Sequence, residues 1–290
     1  MKYIEDFLEY LNVIKKHSVH TINNYKIDLL EFYEFNKKHV RNIDKDIVNK
    51  YMKYLYDKNM SKATISRKLS SLRSFYNYLY KKDIILCNYF LMIKNPRKDN
   101  GLPKFVKDVE IDKMFSIPDV RNPLGQRNLL IIRMLYSTGV RVSELVNIKI
   151  SDIDINERTI KIFGKGSKER IVVFGNNTKE ILKIYLNNGR YTLNNRNSEY
   201  LFLNKDGNKL SDRYVRKIID DIIFKASLQI HVSPHMLRHT FATDMLNNGA
   251  DLVSVKDLLG HESLNTTSIY THVSDDKIRE IYNMAHPRAK

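Results

Sequence analysis

A chain of 290 residues is long enough for two ordinary domains, each burying its own apolar core. Apolar residues make up 42% of it and charged ones 28%, with no low-complexity tract, which excludes a chain dominated by disorder; no apolar run approaches a membrane span. Lys and Arg outnumber Asp and Glu by 49 to 33, a formal charge of +16 that suits an anionic partner or simply a well-solvated surface, so motifs must decide.

The excess charge gathers at the N-terminal end, where residues 1–98 hold 20 basic and 10 acidic side chains. Met1 opens directly into an amphipathic pattern containing Glu5, Asp6 and Glu9, so the protein is expected in the cytoplasm, without a membrane partner. Helical periodicity over 2–16, 18–38, 44–57 and most clearly 61–82 predicts a four-helix bundle spanning 1–94. In the last segment Ile65, Leu69, Leu72, Phe75, Tyr76 and Leu79 form the core stripe. Lys62, Arg67, Lys68 and Arg73 fall mostly off it, so the expectation is a basic outer face that tracks DNA phosphates. Tyr51, Tyr54, Tyr56, Tyr76, Tyr78 and Tyr80 are assigned to packing. The single cysteine, Cys87, follows Ile84-Ile85-Leu86 and reads as a buried thiol, which excludes an intramolecular disulfide or a cysteine metal cluster.

Residues 95–104 lose periodicity and gather Pro96, Arg97, Lys98, Gly101 and Pro103, as a linker does. A second domain, 105–290, follows. A helix over Leu124–Ser137 is broken by Thr138-Gly139, and a short helix over Val140–Asn147 carries Arg141 at its start. Thr159–Phe163 and Arg170–Phe174 read as the strands of a β-hairpin with Lys165 at its tip. Further helices include Pro234–Asn247, closed by Gly249, and Asp251–Leu259, closed by Gly260. The fold class is therefore mainly α with a small β-sheet.

Several chemistries fall away. Gly164-Lys165-Gly166-Ser167 has Thr159, not glycine, five positions upstream, so it is not a phosphate-binding P-loop. His231, His235 and His239 are four apart, but Pro234 starts the helix after His231 and breaks the face a metal site would need. No cofactor and no metal are expected. What remains is an ordered set: Arg141, Lys165, His235-Met236-Leu237-Arg238, Leu259-Gly260-His261, and Tyr270 nine residues on.

That set resembles the tyrosine recombinases, or phage integrase family, and within them the Xer type, most specifically over 138–145, 164–170 and 235–273; His286-Pro287-Arg288-Ala289 is also Xer-like. The resemblance implies an N-terminal four-helix SAM-like core-binding domain, a C-terminal catalytic domain, and a site-specific recombinase that cleaves and rejoins DNA through a 3′-phosphotyrosyl intermediate. It implies Tyr270 as nucleophile, His235 as its proton acceptor or orienting group, Lys165 as general acid and His261 as a hydrogen-bond donor to the phosphate. The partners implied are double-stranded DNA, a homo- or hetero-tetramer on two DNA sites, and a DNA translocase; the role implied is resolution of chromosome or plasmid dimers, in chromosome partition at cell division. Physical chemistry agrees: planar guanidinium forks at Arg141 and Arg238 suit the nonbridging oxygens, and His235 and Arg238, three apart, share a helix face. Taken alone, Arg141 could instead pair with Glu144.

Asp244 and Ser268 stand where the Xer pattern often has histidine and glutamine. The same residues are compatible with an integrase of a phage or transposon, with a type IB topoisomerase, and with a catalytically silent DNA-binding protein. After Tyr270, Ile278, Ile281, Tyr282 and Ala285 form an apolar stripe on a helix that Asp275 can cap; in the resembling family this segment docks on a neighbouring subunit, and that is the expectation here.

Overall fold

The computed structural model describes residues 1–37, 39–96, 105–164, 169–260 and 275–289. The chain divides into two units, Met1–Leu102 and Pro103–Lys290. Among the described residues the structure is mainly helical with a small sheet, as the periodicities predict, and no helix is long and apolar enough to cross a membrane.

The first unit holds α1 (Lys2–Val13), α2 (Val19–Phe35), α3 (Lys45–Asp57) and α4 (Lys62–Lys81); α1 follows Met1 with no side-chain cap, and the other three start where a short polar side chain takes an otherwise unpaired backbone N–H. Ser18, Asp44 and Ser61 accept from Thr21, Ile47 and Thr64 respectively. Their apolar stripes close on an aromatic-rich core. Phe32 meets Tyr51 edge-on at 4.8 Å and Phe90 at 5.2 Å, and Phe7 meets Phe75 at 5.3 Å. Tyr51 and Tyr76 are buried as expected, whereas Tyr56 and Tyr80 are about half exposed. Cys87 is only half-buried, because the stretch before it is a turn in which Ile85 enters the core and Leu86 points to solvent.

The second unit begins with α5 (Asp108–Ser116), and α6 (Pro123–Thr138) runs through its core, burying Leu130, Ile131, Met134 and Leu135. After α7 (Val142–Leu145) the chain forms an antiparallel sheet of β1 (Ile153–Asp154), β2 (Thr159–Phe163) and β3 (Glu169–Val173). The register sets Ile160 opposite Val172 and Ile162 opposite Arg170. Alternation along a strand then sends Ile160, Ile162, Arg170 and Val172 to the same, inner face. Strand β1 was not anticipated; at two residues it is too short to show any alternation. Next come α8 (Asn176–Ile184), a wide turn over Tyr185–Arg190, α9 (Tyr191–Leu193), α10 (Asp212–Lys225), α11 (Pro234–Asn247), α12 (Leu252–Leu259) and α13 (Asp275–Ala285).

The apolar stripe of α13 is covered by the chain's own second unit, not left open for a neighbour. Tyr282 and Ala285 are buried with Phe241 and Met245 of α11, Val255 and Leu258 of α12, and Val173 of β3, while Ile278 and Ile281 pack at the margin. The tail then fastens the helix. Asn248 donates to the Ala285 carbonyl at 2.9 Å, His286 stacks on Tyr282 at 4.8 Å, and Arg288 pairs with Asp112 at 2.7 Å. Burial pulls the His286 imidazole down to about 4, so it sits neutral among these rings. The Asp275 side chain, expected as a cap, lies outside the described residues.

The expected basic outer face of α4 is only partly there. Lys68 is buried: its ammonium reaches Asp28 of α2 at 3.3 Å and Glu31 at 2.7 Å. Asp28, fully buried, also accepts from Arg67 and, at 2.8 Å, from the Ser71 hydroxyl. Arg73 turns the other way and clasps the segment after α4, donating to the carbonyls of Phe90 at 3.0 Å and Ile93 and to the Asn95 side chain at 2.8 Å. Only Lys62 and Arg67 of the four keep a large exposed surface. The cause is a carboxylate on the core face of α2, which a cation from α4 must meet, because an unpaired buried charge costs more than the pairing. Asp28→Ala is therefore expected to destabilise the first unit by about 2–4 kcal/mol, since it leaves the buried Lys68 ammonium with Glu31 alone and takes the acceptor from Arg67 and the Ser71 hydroxyl. Urea denaturation of the full chain followed by circular dichroism measures this; a change below about 1 kcal/mol would place the network among weak surface pairs.

Candidate active site

The turn after α6 sets the geometry. Gly139 caps the helix in the left-handed region, φ +60°, and its N–H donates to the Leu135 carbonyl at 3.2 Å. A side chain there would also collide, since a Cβ would stand 2.6 Å from Phe241 and 2.8 Å from Leu259. The chain emerges from this turn with Arg141 as the N-cap of α7, and Glu144, three residues on, accepts the Arg141 backbone N–H at 2.8 Å. The same carboxylate takes the Arg141 guanidinium at 2.8 Å.

Helix α11 starts at a Ser-Pro pair. Ser233 accepts from the Met236 N–H at 3.2 Å, and Pro234 fills a first-turn position where no N–H is needed. This start puts His235 and Arg238 one turn apart. His235 is exposed and Arg238 buried, and both line, with Arg141, a cleft of about 300 Å³ whose wall also includes Asp212, Arg216 and Asp220 of α10 and His231, leaving arginines in excess over aspartates.

Three guanidinium groups meet the end of α12. Arg238 donates at 2.6 Å to the Leu259 carbonyl and at 2.6 Å to that of Gly139. Arg170 donates through Nε to the Leu258 carbonyl at 3.0 Å, and Arg141 reaches the Gly260 carbonyl at 3.4 Å. The last carbonyls of a helix have no intrahelical partner and carry its negative pole, so cations are the natural caps. Gly260 closes the helix in the left-handed region at φ +63°.

Electrostatically the cluster stays cationic. Glu144 is the acidic group among three arginines, paired with Arg170 at 2.7 Å and with Arg141 at 2.8 Å. Burial alone would raise its pKa, but the Arg170 hydrogen bonds and charge and the backbone and side-chain hydrogen bonds from Arg141 outweigh it and hold the carboxyl below its usual range. The Arg238 pKa is lowered as well: burial first, then repulsion from Arg141, pulls it to about 10, still protonated at neutral pH. Such a pocket can bind and polarise an oxyanion.

Of the residues singled out from the sequence, Arg141, His235 and Arg238 converge on this cleft. Lys165, His261 and Tyr270 lie outside the described residues. Lys62, Arg67, Lys68 and Arg73 belong to the first unit. Arg170 was missed, although it stands two residues before Val172 and so falls on the inner face of its strand; an arginine in that phase requires a buried acceptor.

Residues 104–277 match the family model described as the phage integrase family, and residues 4–83 that of the phage integrase N-terminal SAM-like domain. The chain is similar to tyrosine recombinase XerC of Oceanobacillus iheyensis, 44% identical over 294 residues, covering 99% of this chain and 96% of the relative. It is 41% identical over 288 residues to that of Staphylococcus saprophyticus, covering 98% and 97%. Among solved structures it resembles XerH site-specific recombinase bound to palindromic difH substrate in a post-cleavage complex. There the TM-score is 0.70 and identity 28%, with coverage of 97% of this chain and 83% of that one.

The turn that aims Arg141 yields a direct test. Gly139→Ala forces a side chain into both an unfavourable backbone region and two close contacts, and is expected to destabilise the second unit by about 2–4 kcal/mol. Thermal and urea melts of the full chain measure it; a loss under about 0.5 kcal/mol would show that the turn is not constrained as described.

Proposed function

The chain belongs to the phage integrase family of tyrosine recombinases, and on that footing we propose that it is a site-specific recombinase in which Tyr270 is the nucleophile and Arg141, Lys165, His235, Arg238 and His261 activate the scissile phosphate. The observation that carries this reading is the convergence of Arg141, His235 and Arg238, from two separate elements, on one cationic cleft at the end of α12.

The chemistry follows from what each group can do. The Tyr270 phenol, ordinarily protonated at neutral pH, gives its proton to His235 as its oxygen bonds to phosphorus. Negative charge builds on the nonbridging oxygens, where Arg141 and Arg238 offer two-point guanidinium contacts and His261 a further donor. The 5′ oxygen leaves with a proton from Lys165, and the strand remains joined by its 3′ phosphate to Tyr270. The 5′ hydroxyl of a partner strand reverses these steps, so bond energy is conserved and strands are exchanged.

The remaining parts of the proposal concern setting. Identity of 40–44% to XerC relatives along nearly the whole chain supports resolution of chromosome or plasmid dimers, in chromosome partition at cell division, by an enzyme of the cytoplasm. The first unit, with its basic excess, binds double-stranded DNA, with exposed Lys62 and Arg67 as phosphate contacts. A homo- or hetero-tetramer holds two DNA sites, under the control of a DNA translocase.

Tyr270→Phe removes only the phenolic oxygen. It is expected to bind the DNA site selected by the wild-type protein within about twofold of wild-type affinity, yet form no covalent adduct on a nicked suicide substrate. Denaturing gels read the adduct, and a Tyr270→Phe protein that still becomes linked to DNA would place the nucleophile elsewhere.

A further inference from the structure

The strongest unexplained feature of the second unit is Arg170. Its guanidinium is largely buried, with 13% of the side chain exposed, and three of its nitrogens are engaged. Nη1 and Nη2 bind the two Glu144 oxygens at 3.1 and 2.7 Å, and Nε binds the Leu258 carbonyl at 3.0 Å. It thus joins three elements: β3, five residues after Lys165 in the chain; α7, through the carboxylate that holds Arg141; and the last turn of α12, two residues before Gly260.

Consider Glu144 without it. A carboxylate three residues from Arg141 would accept both guanidinium nitrogens of that arginine in a fork, leaving a neutral pair drawn back from any bound anion. Arg170 already occupies one side of both carboxylate oxygens. Arg141 is left with a single side-chain bond to Glu144 at 2.8 Å and with 44% of its side chain exposed. The two guanidinium groups and one carboxylate retain a net positive charge. Arg170 therefore keeps Arg141 oriented but not neutralised, and ties the strand that follows the hairpin tip to the helix end from which the chain runs on to His261.

We propose that Arg170 is a positioning residue for DNA cleavage: by sharing Glu144 it holds Arg141 in a charged, outward-reaching state, and it couples β3 to the end of α12. It does not touch the substrate. The proposal rests on the assignment of Arg141 to the scissile phosphate, and the experiment separates the two.

The test uses full-length protein and a nicked suicide substrate carrying the selected DNA site, with single-turnover cleavage measured at saturating DNA and binding measured separately. Arg170→Ala is expected to cleave about 10- to 100-fold more slowly at saturation, with affinity for DNA within about twofold of wild type, because misplacement and charge pairing act on the reacting geometry. Adding Glu144→Gln removes the charge that captures Arg141. With both variants folded at the assay temperature, the double variant is expected to recover at least about threefold in cleavage at saturation over Arg170→Ala, a gain that is then not a recovery of stability. Arg170→Lys keeps the charge without the fork and is expected to be about tenfold slow. If Arg170→Ala melts below the assay temperature, the folded Lys variant decides the matter. Wild-type cleavage by either folded variant, a loss explained by weaker DNA binding, or a double variant slower than Arg170→Ala would overturn the role. Tyr270→Phe run in parallel keeps the readings apart. An adduct in that variant overturns the catalytic assignment and Arg170's role with it; no adduct there, together with wild-type cleavage by Arg170→Ala, overturns Arg170's role alone.

Discussion

Three arginines from three elements bind three successive carbonyls at the end of one helix: Arg170 to Leu258, Arg238 to Leu259 and Arg141 to Gly260. The rest of the second unit can be read as the means of bringing them there. Gly139 turns the chain so that Arg141 starts α7, the Ser233-Pro234 start phases Arg238 on α11, and the β2–β3 register sends Arg170 inward. Guanidinium groups so close repel one another, and after burial that repulsion is the next cause of the lowered Arg238 pKa. Glu144 and the negative end of α12 offset that repulsion, and on the cleft wall Arg141, Arg216 and Arg238 outnumber Asp212 and Asp220. A cluster of this kind is stable without a ligand and still attracts a phosphate.

The first unit shows that positive charge has two uses in this chain. Lys68 and Arg73 are committed to structure, one neutralising a carboxylate between α2 and α4 and the other stapling the segment around Phe90 and Ile93. Net charge counts them equally with Lys62 on the surface. A formal charge therefore sets an upper bound on what can meet DNA, and the placement of carboxylates on core faces decides how much is withdrawn.

The helices were legible because their signals are local. Ser233-Pro234 and the glycine after α12 mark their ends directly, and the strand pair is plain from alternation. What was not legible depends on contacts remote in sequence. Lys68 stands three residues after Ile65 and four before Leu72, on the apolar stripe of its own helix, but nothing within α4 announces Asp28, 40 residues earlier, which pairs with it there. The stripe on α13 is correctly helical and apolar, but periodicity says only that a face needs cover; that Phe241, Met245 and Leu258 supply it is a tertiary fact. Cys87 follows three apolar residues and is nonetheless half-buried, because a turn alternates exposure without regard to hydrophobicity. In the cleft, an ordered pattern singled out Arg141, His235 and Arg238, which the fold brings together, whereas Arg170 contacts Glu144 and the Leu258 carbonyl and carries no signature beyond its strand phase.

If this cationic pocket serves Tyr270 in attacking DNA, the covalent intermediate must carry the strand on that one residue. The most direct measurement is to trap the protein on a nicked suicide substrate, digest with trypsin and identify by mass spectrometry the residue bonded to the 3′ phosphate. The chain contains 18 tyrosines, so the answer is discriminating. The expected result is a single adduct in the peptide 257–277, on Tyr270. A phosphate linked to any other residue, or found on the 5′ end of the broken strand, would contradict it.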